Sequence, residues 1–182
     1  MVGNMSLQYE KACETSNFII NKLGFKPEIA IILGSGLGPL TDHIENSIEI
    51  PYNLIPNFPS TTVQGHEGKI VAGKISGKNV IAMKGRFHYY EGNEIEKVVF
   101  PVRVFKLMDI GKLIVTNAAG GINKNFKPGT LMLINDHLSF FSPSPLRGEN
   151  ISEFGTRFPD MGELYSPKLL LLAKTIANEF NI

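Results

Sequence analysis

Two short apolar runs that each stop abruptly in small residues constrain this chain most. Ile29-Ala30-Ile31-Ile32-Leu33 runs into Gly34-Ser35-Gly36-Leu37-Gly38, and Lys112-Leu113-Ile114-Val115-Thr116 runs into Asn117-Ala118-Ala119-Gly120-Gly121. The first, a continuous apolar run of strand length without polar alternation, is the pattern of a strand covered on both faces, and the second is another strand candidate. Strands that feed glycine-rich turns, with helical stretches between them, describe a largely parallel α/β sheet whose ligand crevice lies at the carboxyl ends of the strands.

The remaining segments fit that frame. Leu7, Ala12, Phe18, Ile19 and Leu23 recur at roughly helical spacing ahead of Gly24 and Pro27, so positions 6 to 23 read as a helix. Lys69 to Ile75 and Lys78 to Met83, separated by Ser76-Gly77, read as a hairpin. Glu94 to Met108 is helical in pattern, and Pro101 within it predicts a kink or a late start. Thr130 to Asn135 reads as a further strand ending at Asp136-His137, which is either an orienting pair or a turn pair, and Lys168 to Phe180 as an apolar helix introduced by Pro167. Residues 51 to 68 and 142 to 162, rich in Pro and Gly, read as long irregular connections.

Composition narrows the function classes. With 182 residues the chain suits one domain with a sizeable core, and 43% hydrophobic residues exclude a disordered chain. Eighteen basic against seventeen acidic residues leave a net charge of +1, which gives no electrostatic ground for a nucleic-acid partner or a membrane anchor. The single cysteine, Cys13, excludes an intramolecular disulfide framework and agrees with a reducing compartment; with no secretory pattern at the N-terminus and no apolar run long enough to span a bilayer, the expected location is cytoplasmic.

Three constellations carry chemistry. The turn Gly34-Ser35-Gly36-Leu37-Gly38 lets backbone N–H groups and the Ser35 hydroxyl face an anion such as phosphate, or serves as a tight structural turn; it matches neither the dinucleotide fingerprint nor a P-loop. Lys84-Gly85-Arg86-Phe87-His88-Tyr89-Tyr90-Glu91-Gly92 offers a guanidinium fork, an imidazole and a phenol, with residues 86, 88 and 90 on one side if the segment is extended; the alternative is a solvated edge strand. A neutral His88 would add one hydrogen-bond donor to that face. Thr116 to Gly121 has small residues where a strand opens onto a crevice, equally suited to a ligand or to a crossing helix. His66 reads as a loop histidine, Arg147 and Arg157 flank the late loop and are candidates to meet a partner subunit, and histidines at 43, 66, 88 and 137 show no zinc spacing, so no metal is expected. The absence of a GxSxG elbow disfavours a serine hydrolase.

Taken together, GSGLG at 34 to 38, GHEGKIVAG at 65 to 73, KGRFHYYEG at 84 to 92, VTNAAGG at 115 to 121, and PLRG with FGTRFPDM at 145 to 161 resemble the trimeric purine nucleoside phosphorylases, from about residue 5 to the last residue. The resemblance implies a three-layer α/β fold with a mixed, largely parallel central sheet flanked by helices, formed by residues 1–182 as a single, partial domain. It implies reversible phosphorolysis of inosine, guanosine and their deoxy forms to free purine and (deoxy)ribose 1-phosphate, with no cofactor and with inorganic phosphate as co-substrate. Carried over by motif, Ser35, Arg86, His88 and the Ala118 backbone bind phosphate; Tyr90 lies along the ribose; Asn117 and Ala119 line the nucleoside wall; His66 belongs to a closing loop; and Phe158 reaches a neighbouring site in a homotrimer. Arg86, His88 and Asn117 are the residues on which catalysis is expected to rest.

The resemblance also predicts what is missing. The family's purine-reading glutamate, the later methionine and serine, and the asparagine and histidine near the leaving base and ribose lie in a C-terminal third with no counterpart in this sequence. The chain therefore holds most of a phosphate half-site and little of a base half-site, and uncovered apolar surface is expected. The rival expectations are a phosphorylase specific for 5'-methylthioadenosine, which the serine-bearing GSGLG loop disfavours, an inactive phosphate- or nucleoside-binding protein, and a bare structural fragment.

Overall fold

The structure, a computed structural model, describes residues 6–59 and 68–182. Its centre is a five-stranded sheet of β1 (Ile29–Leu33), β2 (Glu45–Pro51), β3 (Lys69–Ile75), β4 (Lys78–Lys84) and β5 (Lys112–Val115), in the order β2-β3-β4-β1-β5. β1 lies parallel to both β4 and β5, while β2, β3 and β4 pair antiparallel, so the described sheet is evenly mixed. The parallel half matters most for the site, because it brings the carboxyl ends of β4, β1 and β5 side by side.

The hairpin forms on the turn its sequence dictates. Ser76 and Gly77 adopt φ of 48° and 74°, the pair of positive values that matches a two-residue turn to the twist of its strands. Helix α1 (Leu7–Leu23) starts on the Ser6 side chain, which accepts from the Tyr9 N–H, and stops at left-handed Gly24. Helix α2 (Ile95–Leu107) begins on bonds from Lys97 and Val98 to the Glu94 carbonyl, so the expected late start does not occur; Pro101 lies inside it, fully buried.

Strand alternation divides the core in two. Ala30, Ile70, Ala72, Ile81 and Met83 face α1 and α2, meeting Ala12, Ile19 and Leu23 of the first helix, Val104 and Phe105 of the second, and Met108 just past its end. Ile31, Leu33, Val71, Val80 and Ala82 point to the other side and close with Ile44. Burial on both faces of β1 and β4 explains their unbroken apolar sequences.

Three differences from the sequence expectations have physical reasons. β2 is an edge strand whose pairing with β3 is shifted between Glu45 and Ile48; with only Ile50 buried, it carries no alternating pattern to read. Part of the expected irregular connection is core: after β2, Tyr52 and Ile55 are buried, and Thr15 Oγ1 of α1 donates to the Pro56 carbonyl at 2.7 Å. Thr130–Asn135 is not a strand. Leu131, Met132 and Leu133 are 69%, 55% and 46% exposed, and no described strand pairs with them, so an apolar run without a ladder partner stays irregular. Helix α3 (Pro167–Glu179) forms as expected from its Ser166 cap and Pro167 yet buries no residue. No described helix is long and apolar enough to cross a membrane.

The close approach of two strand ends leaves no room for a side chain at Gly34. A Cβ there would stand 2.7 Å from the Thr116 carbonyl oxygen and 2.8 Å from Asn117 Cα, both backbone. Gly34→Ala is therefore expected to destabilise the fold by roughly 1–3 kcal/mol, the range for forced overpacking, as measured by urea unfolding. Wild-type stability in that variant would contradict the contact.

Candidate active site

The carboxyl ends of the three parallel strands meet at Thr116. Its N–H donates to the Ile32 carbonyl at 3.0 Å, and its hydroxyl accepts from the Gly34 N–H at 2.9 Å and reaches the Ile32 carbonyl at 3.2 Å. Its carbonyl accepts from Arg86 Nη1 at 2.9 Å. One residue thus ties the end of β5 to the glycine turn after β1 and to the segment after β4.

The turn itself is closed by the Leu37 N–H donating to the Gly34 carbonyl, with Gly36 at φ 80°, and it leaves Ser35 exposed at its tip. Asn117, Ala118 and Ala119 follow Thr116 as exposed residues on the same rim.

Arg86 and His88 do converge, though by a route that an extended strand would not give. After His88 the chain turns through a single 3-10 turn, Tyr89–Glu91, and Tyr90 folds back to stack on the His88 ring at 4.7 Å between centroids and 26° between planes. Arg86 Nε donates to His88 Nε2 at 2.9 Å, and His88 Nδ1 lies 2.8 Å from Glu91 Oε1. These two contacts fix the imidazole. Nε2 must be the acceptor, because a guanidinium N–H can only donate, so the ring proton sits on Nδ1 and points at the carboxylate. His88 accordingly has no spare donor in this arrangement, unlike the expectation of one further bond from a neutral ring.

Glu91 is the residue the sequence reading passed over. Its side chain is 13% exposed and, besides the imidazole, accepts from the His88 N–H and from Asn93 Nδ2, both at 3.3 Å. Asn93 also donates to the His88 carbonyl at 3.1 Å. The available signal was the His-x-x-Glu spacing, which in a tight turn returns the carboxylate to the ring and backbone of the first residue.

A rigid floor supports this group. Tyr52 donates from its hydroxyl to the Gly85 carbonyl at 2.7 Å, and burial raises its phenol well above the ordinary range, so it remains a neutral donor. Its ring packs with Phe58 and Phe87, 4.9 and 5.4 Å away between centroids. Above lies an open cavity of about 500 Å³, lined by Arg86, His88, Tyr89 and Tyr90 on one side and Ile32, Val98, Pro101 and Val115 on the other. Its volume suits a small organic ligand, and its cation and imidazole suit an anion beside an apolar wall.

Of the remaining expected residues, Ser35, Asn117, Ala118 and Ala119 take no part in that lining, nor does Phe158, which is 86% exposed, while His66 falls outside the described residues. Among the described residues no cluster of three or more His, Cys, Asp or Glu could hold a metal ion.

Comparison with known proteins agrees with this geometry. The family model for the phosphorylase superfamily matches residues 28–182. Purine nucleoside phosphorylase 1 of Geobacillus stearothermophilus is 52% identical over 169 residues, covering 93% of this chain and 62% of that protein, and the mouse purine nucleoside phosphorylase is 48% identical over 160 residues, covering 86% and 55%. Isoform 2 of the Schistosoma mansoni purine nucleoside phosphorylase, solved with cytosine and ribose-1-phosphate, superposes with a TM-score of 0.88 at 44% identity, covering 95% of this chain and 62% of that one. The chain thus spans about three fifths of the length of these relatives. A β1–glycine turn, a cation and histidine after β4 and a small-residue rim after β5, in a chain matched by that family model over most of its length, make it a member of the phosphorylase superfamily.

Proposed function

We propose that the chain carries the phosphate side of a purine nucleoside phosphorylase site, for reversible phosphorolysis of purine nucleosides such as inosine and guanosine. The observation that carries this reading is the convergence of Arg86 and His88 on a cavity at the carboxyl ends of three parallel strands, with Thr116 tying Arg86 to the Gly34 turn. The mouse and Geobacillus relatives bear the corresponding name, and a Schistosoma structure was solved with inosine.

In this reading Arg86, the Ser35 hydroxyl, His88 and the Ala118 N–H bind inorganic phosphate. Tyr90 lies along the ribose, Asn117 and Ala119 form the wall of the nucleoside pocket, His66 sits in a loop that closes on it, and Phe158 enters the site of a neighbouring subunit of a homotrimer. A phosphate oxygen forms a bond to the anomeric carbon while the bond from that carbon to the purine nitrogen breaks, the electron pair leaving with the base, which takes up a proton. The ring passes through an oxocarbenium-like state, as in glycoside cleavage. Fixing phosphate beside the sugar supplies proximity, and its negative charge stabilises the developing cation. Arg86 commits one hydrogen to His88 and one to Thr116, which leaves its other Nη hydrogens for phosphate; His88 bonds to the same anion only when Nε2 gives up the Arg86 bond and carries a proton from solvent in its place. The setting is cytoplasmic.

A second reading, binding of phosphate without turnover, is favoured by one observation: among the described residues, the cavity lining holds no carboxyl or amide group to receive the leaving purine. The two readings separate in one assay. Purine release from inosine is expected to require inorganic phosphate, and Arg86→Ala is expected to lower kcat/KM about 100-fold, the usual effect of losing a charged transition-state donor. Release that is equal without phosphate would overturn phosphorolysis, and phosphate-dependent protection against heat with no release would establish the second reading.

Glu91 gives an independent check on the phosphate side. Glu91→Leu releases the His88 ring and is expected to raise the KM for phosphate about tenfold, equivalent to about 1.4 kcal/mol, while the KM for inosine stays unchanged. Glu91→Gln, whose carbonyl oxygen still accepts from Nδ1, is expected to recover most of the loss. An equal rise in both KM values would show that Glu91 acts on the fold rather than on the imidazole.

A further inference from the structure

Residues 117–166 lie almost entirely in solvent, and the few that do not are informative. Only Ile134, Pro145, Ile151, Phe154 and Tyr165 in that stretch are half-buried, and three of these five gather around one side chain of α2, Arg103. Arg103 donates from Nη1 to Gln8 Oε1 in the first turn of α1 and from Nη2 to the Pro145 carbonyl at 3.3 Å. Its guanidinium carbon stands 5.0 Å from the Phe154 ring centre, and Tyr9 of α1 meets the same ring edge-on at 5.5 Å. Phe154 in turn packs against the main core. A guanidinium half removed from water is costly unless it is bonded or paired, and among the described residues no carboxylate lies within 4.0 Å of this one. Two neutral acceptors and an aromatic face therefore touch the guanidinium, with Glu96 of the same cavity acting on it from beyond ion-pair distance, and two of those three touching partners belong to the late loop.

The loop is stitched together downstream of that point. Arg157 Nη1 donates to the carbonyls of Leu146 and Gly148 at 2.7 and 2.8 Å, and its guanidinium lies over the Phe158 ring at 5.7 Å. Displacing Pro145 and Phe154 would thus carry Arg157 and Phe158 with them. We infer that Arg103 is a positioning residue: a clasp from α2 that moors the 145–158 loop to the α1–α2 layer and so sets where Phe158 stands. Its consequence for nucleoside binding rests on the phosphorolysis reading, in which Phe158 serves a neighbouring site; the mooring itself does not.

The chain has no tryptophan, so Phe158→Trp supplies a single indole reporter on the loop. In that background Arg103→Met, which keeps the stem but loses the fork, is expected to lower the indole anisotropy by roughly half and to speed tryptic cleavage after Arg157 about tenfold, with circular dichroism unchanged. Gln8→Ala, an exposed change that removes one acceptor without altering Arg103, is expected to move both readouts in the same direction and covers the case in which Arg103→Met fails to fold. Lys106→Met on the exposed side of α2 is the control. Anisotropy and cleavage equal to the control in both variants would overturn the clasp. With Phe158 intact, Arg103→Met is expected to raise the KM for inosine about fivefold with the KM for phosphate unchanged; a parallel rise in both would overturn the positioning role. A wild-type chain without turnover would count against phosphorolysis, and the fluorescence and cleavage readouts would then decide the clasp alone.

Discussion

Everything at the candidate site depends on how closely the ends of β1 and β5 approach. Gly34 has no side chain, so Thr116 can press its carbonyl and hydroxyl against the turn and bond to both Gly34 and Ile32. The same Thr116 carbonyl is the acceptor that holds one arm of Arg86. Separate the strand ends by the width of a methyl group and the guanidinium loses its anchor, the imidazole loses its donor, and the glycine turn no longer faces the rim at Asn117. A packing constraint in the sheet is thereby converted into the orientation of a cation.

The second layer of control is electrostatic. Arg86, His88 and Glu91 form a line in which a permanent cation donates to a neutral ring and the ring donates to a carboxylate. Each bond specifies the next, so the imidazole rests in one tautomer. The guanidinium hydrogens that these bonds leave over stay open to an anion, whereas the imidazole can bond to one only by giving up the Arg86 contact. The buried Tyr52 hydroxyl on the Gly85 carbonyl holds the start of the segment in place.

Legibility in the sequence followed apolar patterning. β1, β3, β4 and α1 were readable because their neighbours demand apolar side chains or a specific turn, as Ser76-Gly77 shows, while β5 and α3 were readable from their apolar runs although neither buries a residue. β2 was not, since an edge strand with one buried residue and a shifted register leaves almost no pattern. Thr130–Asn135 shows the opposite failure: its apolar character is plain, but an apolar run says only what the segment would bury, not that a partner strand is present. At the site, Arg86 and His88 stood out as residue types beside glycines. Glu91 did not, because its role arises from a turn that only the folded backbone reveals, and Thr116 was visible as part of a small-residue rim but not as the hub that joins three strands. The part of the chain after β5 presents large apolar side chains, among them Ile122 and Phe141, both 99% exposed.

The central claim is that His88 is held as the Nδ1-protonated tautomer by Arg86 and Glu91 and is recruited by phosphate through Nε2. Nitrogen-15 NMR of the histidine rings, with His88 assigned by comparison with His88→Gln, tests it directly. Without phosphate the spectrum should show a protonated Nδ1 and a bare Nε2, and titration with inorganic phosphate should move the Nε2 resonance toward the protonated position. An Nε2-protonated ring before phosphate is added, or a His88 signal that ignores phosphate, would contradict the claim.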